Sequence, residues 1–509
     1  TLSFPLIVGP TLISCSEMPA SLLKSSHVCR SLSWFGDMTV CDSILCDTIY
    51  IILELTPSLS NHPLNHYNTS MQRTLIAETT KLVGKEVLIK GWVNTVRDHG
   101  KITFIDLRDR TGIVQCVGQN LPKLSPESVI EIKGKIADRP EKLINPNLET
   151  GKVELQIEEV KVLSKSDELP IDMGKEQLEV ELPTLLDWRS LTLRHPRIKG
   201  IFKVQEVVID SFRKALQEKD FTEFQAPVII PQGAEGGAEV FEVKYFDHKA
   251  YLAQSPQFYK QILVGVYERV FSVNKTLRAE PSVTTRHLTE VTTLDAEFGF
   301  IDSWLDVKKM VEYVIKYIFK EVDDKCSDIL KEYNIATPKV PKEIPMIKLR
   351  EAQEIIYKRT GRDNRKEPDL EPEDEKEICR WALEEKKSDL VFISHYPVSK
   401  RPFYTYEDPN DLGYTMSFDL LGRGTEWLTG GRRITNYEKL LKNAKDRGVN
   451  LEKSELYLQA FRFGMPPEGG FSFGSERITM HILGLKNVRE ASLFPRDMER
   501  VDIRLSTLK

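Results

Sequence analysis

The sequence predicts an α+β protein of more than one domain: a small β barrel followed by a larger domain in which strands and helices mix. Three observations point there. At 509 residues the chain exceeds the length over which one hydrophobic core keeps growing. Residues 86–163 alternate apolar and polar side chains in five short runs. Beyond residue 199, short strand-like runs alternate with long segments of helical period.

Composition narrows the class. With 40% hydrophobic and 29% charged residues the chain reads as an ordinary globular protein, and a formal net charge of −5 gives no overall basic signature of a nucleic-acid binder. A polyanionic partner must then be met by local patches. Four of the seven cysteines (Cys15, Cys29, Cys41, Cys46) crowd into the first 50 residues, while Cys116, Cys326 and Cys379 are scattered. No spacing suggests zinc, and the scattered thiols suit a reducing cytosol. Residues 1–70 are rich in Ser, Leu and Cys, poor in Lys and without a clear period; from Met71 the chain turns Lys/Glu-rich and strongly patterned. Met71 is therefore expected to be the true start, with 1–70 a non-native or disordered extension. A targeting presequence fits poorly, for want of an Arg-rich amphipathic pattern or a basic leader. The most apolar run, "SILCDTIYIILEL", is too short and too acidic to span a bilayer, so no membrane role is expected.

The five period-two runs are "EVLIKGWVNTV", "KITFIDLRD", "GIVQCVG", "VIEIKGKIA" and "KVELQIEEVKVL". They suit a small closed barrel of the oligonucleotide-binding (OB) type or any other small antiparallel barrel. Residues 166–198 are polar and proline-punctuated, which suits a hinge between domains at 71–165 and 199–509. "RIKGIFKVQEVVIDSFRKALQEKD" then has a helical period through Ile201, Phe202, Val204, Val207, Val208, Phe212 and Leu216, and the strand-like "FTEFQAPVIIP" follows.

Four segments concentrate reactive side chains. "YLAQSPQFYKQ" spaces Gln254, Gln257 and Lys260 three apart, one face of a helix, which in isolation reads as a solvated polar face. In "LRAEPSVTTRHLTEVTTLDAEFGF" a two-residue period sends Arg278 and Glu280 to one side of a strand and Asp295 and Glu297 to the same side of its return, with Arg286 and His287 in the loop between. A cross-strand salt-bridge ladder would be the plain account. "MSFDLLGRGTEWLTGGRRI" spaces Asp419, Glu426 and Arg433 seven apart, and two such acids can hold Mg²⁺. "GGFSFGSERITM" runs from a Gly-rich stretch into an apolar helix with Arg477 near its start; glycines of this kind more often serve packing than ligand binding.

Together these segments resemble the class II aminoacyl-tRNA synthetases, specifically the aspartyl-tRNA synthetases, over Met71–Lys509. "FTEFQAPVIIP" with Pro227 looks like motif 1, the dimer-forming helix and strand; "LRAE…TRH…LDAEF" like motif 2; "GGFSFGSER" like motif 3; and "GWVNTVRDHGKITFIDLRDRTGIVQ" like the anticodon-binding OB domain. The resemblance implies a catalytic domain on an antiparallel sheet flanked by helices, a cytoplasmic homodimer, and ATP, L-aspartate, Mg²⁺ and tRNA(Asp) as substrates and partners. It assigns Arg278 to the ATP α-phosphate and the amino-acid carboxylate, Glu280 to the adenine amino group, Arg286 and His287 to the terminal phosphates, and Arg477 to stacking on adenine. Asp419 and Glu426 match magnesium-binding acids. Glu235, in "AEGGAEVF", matches a mobile loop over the amino acid, with Asp295 and Gln257 meeting its α-ammonium group. Lys260 and Arg433 match the cations that grip the side-chain carboxylate. In the barrel, Phe104 matches the aromatic that stacks on the central anticodon uridine, Gln115 its hydrogen-bonding partner, and Arg97 a support of that loop; barrel core is the plain alternative for Phe104.

The chain departs from the family pattern in places. Ser472 stands where motif 3 usually has Gly, and Glu468 where His is common. The barrel's "RPEKLINPNLETG" resembles bacterial members, whereas the catalytic half resembles the archaeal and eukaryotic type without the large bacterial insertion. His99 resembles enzymes that also charge tRNA(Asn), and Lys142 the strict type; the balance favours relaxed tRNA choice. Rival functions are a catalytically inactive tRNA-binding relative, opposed by the presence of Arg278, Glu426 and Arg477; an asparaginyl enzyme, opposed by "QSPQFYK"; and ammonia-dependent asparagine synthesis, opposed by the barrel.

Overall fold

Five strands, β1 (Glu86–Asp98), β2 (Thr103–Asp109), β3 (Gly112–Gly118), β4 (Val129–Asp138) and β5 (Val153–Ser164), close into a barrel of order β1-β2-β3-β5-β4 in the computed structural model of the chain. That structure describes residues 71–233, 239–281 and 284–507. Alternation along each strand fills the barrel, with Val87, Ile89, Val93, Ile105, Leu107, Val114, Cys116, Ile130, Ile132 and Leu155 all buried. A parallel pairing of Cys116 with Leu155 and of Val117 with Gln156 completes the ring and removes its open edge. The alternating pattern and the OB-type order agree.

The chain divides into two compact units at Leu169/Pro170. Of the segment read from the sequence as a hinge, residues 170–198 belong to the second unit. It forms two short helices, Leu182–Asp187 and Arg189–Thr192. Arg189 is buried and donates to the carbonyls of Leu493 and Ser492, while Asp187 accepts from Arg500 and Arg504. Polar residues there satisfy buried backbone groups, which is why the segment looks linker-like in sequence.

The second unit is organised by an eight-stranded sheet. Its strands are β6 (Thr222–Glu223), β7 (Arg269–Leu277), β8 (Glu290–Gly299), β9 (Met346–Lys348), β10 (Leu390–Ser394), β11 (Ser417–Gly422), β12 (Thr425–Arg432) and β13 (Glu468–Gly474), in the order β9-β10-β11-β12-β13-β8-β7-β6. The outermost pairs, β9 with β10 and β6 with β7, are parallel; the rest are antiparallel.

Period-two alternation splits this sheet chemically. One face carries Phe271, Leu294, Ala296, Phe298, Leu420, Leu428, Phe471 and Phe473, and on it pack helices α1 (Pro196–Gln217), α3 (Leu305–Glu332) and α5 (Ser475–Leu483). Phe212 of α1 meets Phe271 and Phe473 edge-on. The other face carries Asn274, Thr276, Thr293, Asp295, Glu297, Ser472, Thr429 and Asp419, brought into line by the pairings Asp295–Ser472, Thr429–Ser472 and Asp419–Thr429. The hydrophobic face anchors the sheet and leaves the polar face to build a site.

Two local expectations change. "FTEFQAPVIIP" holds only two-residue strands, Thr222–Glu223 and Ile229–Ile230, because proline interrupts the ladder; Ile229–Ile230 joins His248–Leu252 and Glu242–Tyr245 in a separate small sheet. Helix α2 (Gln257–Tyr267) starts only at Gln257, after Pro256, so Gln254 precedes the helix. Among the described residues, no helix is long and apolar enough to cross a membrane. Residues 1–70 lie outside the described residues.

Candidate active site

A cavity of about 530 Å³ opens on the polar face of the sheet, and its lining includes Gln257, Lys260, Arg278, Glu280, Arg286, His287, Glu426, Arg433 and Arg477. Segments spread over more than 200 positions of sequence thus converge. Asp295 and Asp419 lie buried beside the cavity instead of lining it. Glu235 lies outside the described residues.

At one end of the cavity two cations meet two carboxylates, all four side chains buried. Lys260 of α2 is 1% exposed, and its Nζ lies 3.1 Å from Asp295 Oδ1 and 3.2 Å from Glu297 Oε2. Arg433, just past β12, donates from Nε to Glu297 Oε1 at 2.7 Å and from Nη2 to the Gly470 carbonyl at 3.1 Å. Burial alone would lower the Arg433 guanidinium, but Glu297 outweighs it and holds the group above its ordinary range. The solvated-face reading of Gln254, Gln257 and Lys260 is overturned: α2 turns Gln257 and Lys260 onto β8, and Gln254, ahead of the helix, is buried as well and donates to the Glu239 carbonyl at 3.3 Å. Gly470 explains part of the Gly-rich run. A Cβ there would fall on the Glu297 carboxylate and the Ala296 carbonyl, so only glycine leaves room for the carboxylate.

Asp295 keeps Oδ2 without a hydrogen-bond partner, and Glu468, fully buried at the start of β13, keeps Oε2 likewise. Burial, then the nearby Glu297 charge, push the Glu468 acid well up. With Glu468 neutral, Asp295 and Glu297 balance Lys260 and Arg433. A free buried acceptor beside two cations can take a ligand that carries both an ammonium group and a carboxylate.

The other end of the cavity is suited to anions. Arg278 and Glu280 sit just beyond the end of β7, 3.6 Å apart, and His287 Nε2 lies 3.4 Å from Glu280. Arg286 pairs with Glu375 at 2.7 Å, and Arg477, near the start of α5, reaches the Glu426 carbonyl at 3.2 Å. Arg401 is buried against Asp419 Oδ2 at 2.7 Å and stacks on Tyr396. Arg278, Arg286, Arg401 and Arg477 therefore ring a space in which a polyphosphate would be neutralised.

A tight turn through Arg423 and Gly424, both at positive φ, folds β12 back on β11. An irregularity between Leu420 and Leu421 then sets Glu426 opposite Leu421, on the face shared with Asp419. Asp419 Oδ1 has no hydrogen-bond partner. Burial, then the Asp419 charge, raise Glu426 to about 7, although its side chain keeps 37% of its surface open. Two crowded carboxylates with a vacant oxygen fit a hard divalent cation, which would relieve their repulsion. No cluster of three or more His, Cys, Asp or Glu ligands occurs among the described residues, so remaining ligands would be water or substrate oxygens.

On the barrel, Phe104 is partly exposed on the outer face, opposite Arg97, while Ile105 and Leu107 fill the core. His99 meets Phe104 edge-on at 5.8 Å. Asp106 holds Arg97 through two 3.0 Å hydrogen bonds and stands opposite Gln115, which is 9% exposed. These four predicted residues share one neighbourhood. Lys142 lies apart in sequence, exposed in the β4–β5 connection.

Sequence reasoning left four residues without a role. Glu297 was visible by its two-residue offset from Asp295, yet its partners come from α2 and from Arg433. Arg401, in "SKRPFYT", carries no periodic signal. Gln261 stands on α2 one turn from Gln257, whereas Glu375, on the helix Pro372–Lys386, meets Arg286 from 89 positions away in sequence.

Residues 181–498 match the family described as tRNA synthetases class II (D, K and N), and residues 87–163 match the OB-fold nucleic acid binding domain. The chain is 40% identical over 430 residues to an aspartate–tRNA(Asp/Asn) ligase of Thermus thermophilus, covering 84% of this chain and 99% of the relative. It is 38% identical over 440 residues to an aspartate–tRNA(Asp) ligase of Pyrococcus abyssi, covering 83% and 97%. Among solved structures, the asparaginyl-tRNA synthetase of Pyrococcus horikoshii in complex with asparaginyl-adenylate superposes with a TM-score of 0.74 at 30% identity, covering 84% of this chain and 99% of that one.

Removing Glu297 leaves Lys260 and Arg433 short of buried counter-charge. Glu297→Ala is expected to destabilise the second unit by about 3–5 kcal/mol in urea unfolding. A loss under about 1 kcal/mol would mean that the cluster is hydrated rather than buried.

Proposed function

The chain belongs to the class II tRNA synthetases of the aspartate, lysine and asparagine group, and we propose that it uses ATP to activate L-aspartate and transfers it to the 3′ end of tRNA(Asp) and tRNA(Asn). The observation that carries this reading is the buried pairing of Lys260 and Arg433 with Asp295 and Glu297 at the closed end of a polar cavity.

The aspartate side chain enters as a carboxylate and is gripped by Lys260 and by the Arg433 fork. Its α-ammonium group takes the open Oδ2 of Asp295 and the amide oxygen of Gln257. Its α-carboxylate is turned towards Arg278. Asparagine would bring no carboxylate to the Lys260 ammonium and the Arg433 guanidinium, and a site built on charge rejects a neutral isostere by roughly 10⁴-fold.

ATP occupies the arginine-lined end. Arg278 meets the α-phosphate, Glu280 accepts from the adenine amino group, Arg286 and His287 hold the terminal phosphates, and Arg477 lies on the adenine ring. Arg286 must leave Glu375 to do so, an exchange of one anionic partner for another. Asp419 and Glu426 would hold Mg²⁺, which when bound offsets phosphate charge. The aspartate α-carboxylate oxygen attacks the α-phosphorus, the bond to the bridging oxygen breaks, and pyrophosphate leaves with its electrons. No protein nucleophile takes part; positioning and charge neutralisation lower the barrier. The tRNA 3′-hydroxyl then attacks the adenylate carbonyl and AMP departs.

The barrel reads the anticodon. Phe104 stacks on an unpaired base, Gln115 hydrogen-bonds its edge, and Arg97 and His99 brace the platform, in the manner by which OB folds hold single strands. Lys142 adds a backbone contact. The T. thermophilus relative, named for both tRNAs, and His99 beside Phe104 support the relaxed tRNA choice. The protein acts as a cytoplasmic homodimer, with exposed Pro227, Val228 and Ile229 at the subunit contact.

Purified protein given labelled aspartate is expected to charge both tRNA(Asp) and tRNA(Asn). Transfer to neither would overturn the activity, and transfer to tRNA(Asp) alone would overturn the relaxed specificity. Because burial and the Asp419 charge push Glu426 up to about 7 and Mg²⁺ competes with its proton, the Mg²⁺ concentration needed for aspartate-dependent ATP–pyrophosphate exchange should fall as pH rises through that value and level off above it. Glu426→Gln should flatten that dependence. An Mg²⁺ requirement in the unmodified protein that does not change with pH would argue against Glu426 as the ligand.

A further inference from the structure

Behind the cavity lies a buried polar chain that the reaction as described does not use. Glu468 is fully buried, and its Oε1 accepts a hydrogen bond from Gln261 Nε2 at 2.8 Å. Gln261, also fully buried, accepts at Oε1 from Gln257 Nε2 at 3.0 Å and from the Tyr457 hydroxyl at 3.1 Å. Gln257 lines the cavity. The chain therefore runs without a break from an acid on β13 to the substrate space.

We propose that Glu468 is a positioning residue for the substrate's α-ammonium group, acting through Gln261 to hold the Gln257 amide with its carbonyl oxygen towards the cavity. The inference rests on the aspartate reading given above, and it concerns a position where the resembling family commonly has another residue.

The argument is one of hydrogen-bond polarity. An amide has one donating end and one accepting end, and Glu468 Oε1 takes the donating end of Gln261. Glu468 therefore forces the NH₂ of Gln261 towards itself and the Gln261 carbonyl towards Gln257. Tyr457, donating to that same carbonyl, supports the orientation. Gln257 must answer with its own NH₂, which leaves Oε1 as the atom facing the cavity. Protonation does not reverse the chain. Burial and Glu297 favour the protonated acid, and the proton belongs on Oε2, the oxygen without a partner, so Oε1 still accepts. Gln257 Oε1 and Asp295 Oδ2 are then two acceptors for one ammonium group. A reversed Gln257 amide would turn its NH₂ on that cation.

The test removes the acceptor and then restores it. In Glu468→Leu the oxygen facing Gln261 is gone, and the chain loses its fixed direction. The KM for aspartate in ATP–pyrophosphate exchange should rise about tenfold, while the KM for ATP and the inhibition constant of succinate, which lacks the ammonium group, stay within about twofold. In Glu468→Gln the amide reproduces the neutral acid, with its carbonyl oxygen again facing the Gln261 NH₂. The aspartate KM should stay within about threefold of the unmodified value. An aspartate KM unchanged in Glu468→Leu, a parallel loss for succinate, or a loss in Glu468→Gln as large as in Glu468→Leu would overturn the relay. Absence of aspartate-dependent exchange in the unmodified protein would instead overturn the functional reading on which the relay rests.

Discussion

The second unit depends on one buried carboxylate, Glu297, held between Lys260 and Arg433. Helix α2, strand β8, the end of β12 and strand β13 all meet at this group. Its charge makes it tolerable to bury two cations, and their charge makes it tolerable to bury the acid; none of the three could sit there alone. Gly470 is glycine because the carboxylate occupies the space a side chain would need. A cavity wall assembled this way is preorganised, since its charges are already oriented before any ligand arrives.

Strand alternation supplies the second requirement. β8 and β13 bury Leu294, Ala296, Phe298, Phe471 and Phe473 on one side and present Thr293, Asp295, Glu297 and Ser472 on the other. The helices α1, α3 and α5 cover the first side only. A rigid hydrophobic layer thus carries polar groups at fixed spacing, and the strand residues of β8, β12 and β13 need no loop-borne precision to converge. The two ends of the cavity differ accordingly: one buried and charge-balanced, one ringed by arginines.

Much of this was legible in the sequence because it is local. The two-residue period of "LDAEF" places Asp295 and Glu297 on one face, and the barrel alternation places Ile105 inward and Phe104 outward. What was not legible is long-range. Glu297 looked like half of a surface ladder, since nothing in the sequence says that Arg433 lies 2.7 Å away. Gln257 and Lys260 looked solvated because a helix period fixes a face but not what covers it. Residues 170–198 looked like a linker because the partners of Arg189 and Asp187 lie some 300 positions downstream. The glycines of β13 looked like phosphate-loop or packing glycines, and only the position of Glu297 decides between them.

The central claim is that buried charge, rather than shape, selects the substrate. It is tested most directly by the ratio of kcat/KM for aspartate to that for asparagine in ATP–pyrophosphate exchange with the unmodified protein. A site built around Lys260 and Arg433 should favour aspartate by roughly 10⁴-fold or more. Activation of asparagine within about tenfold of aspartate, a ratio that shape alone can supply, would contradict the account.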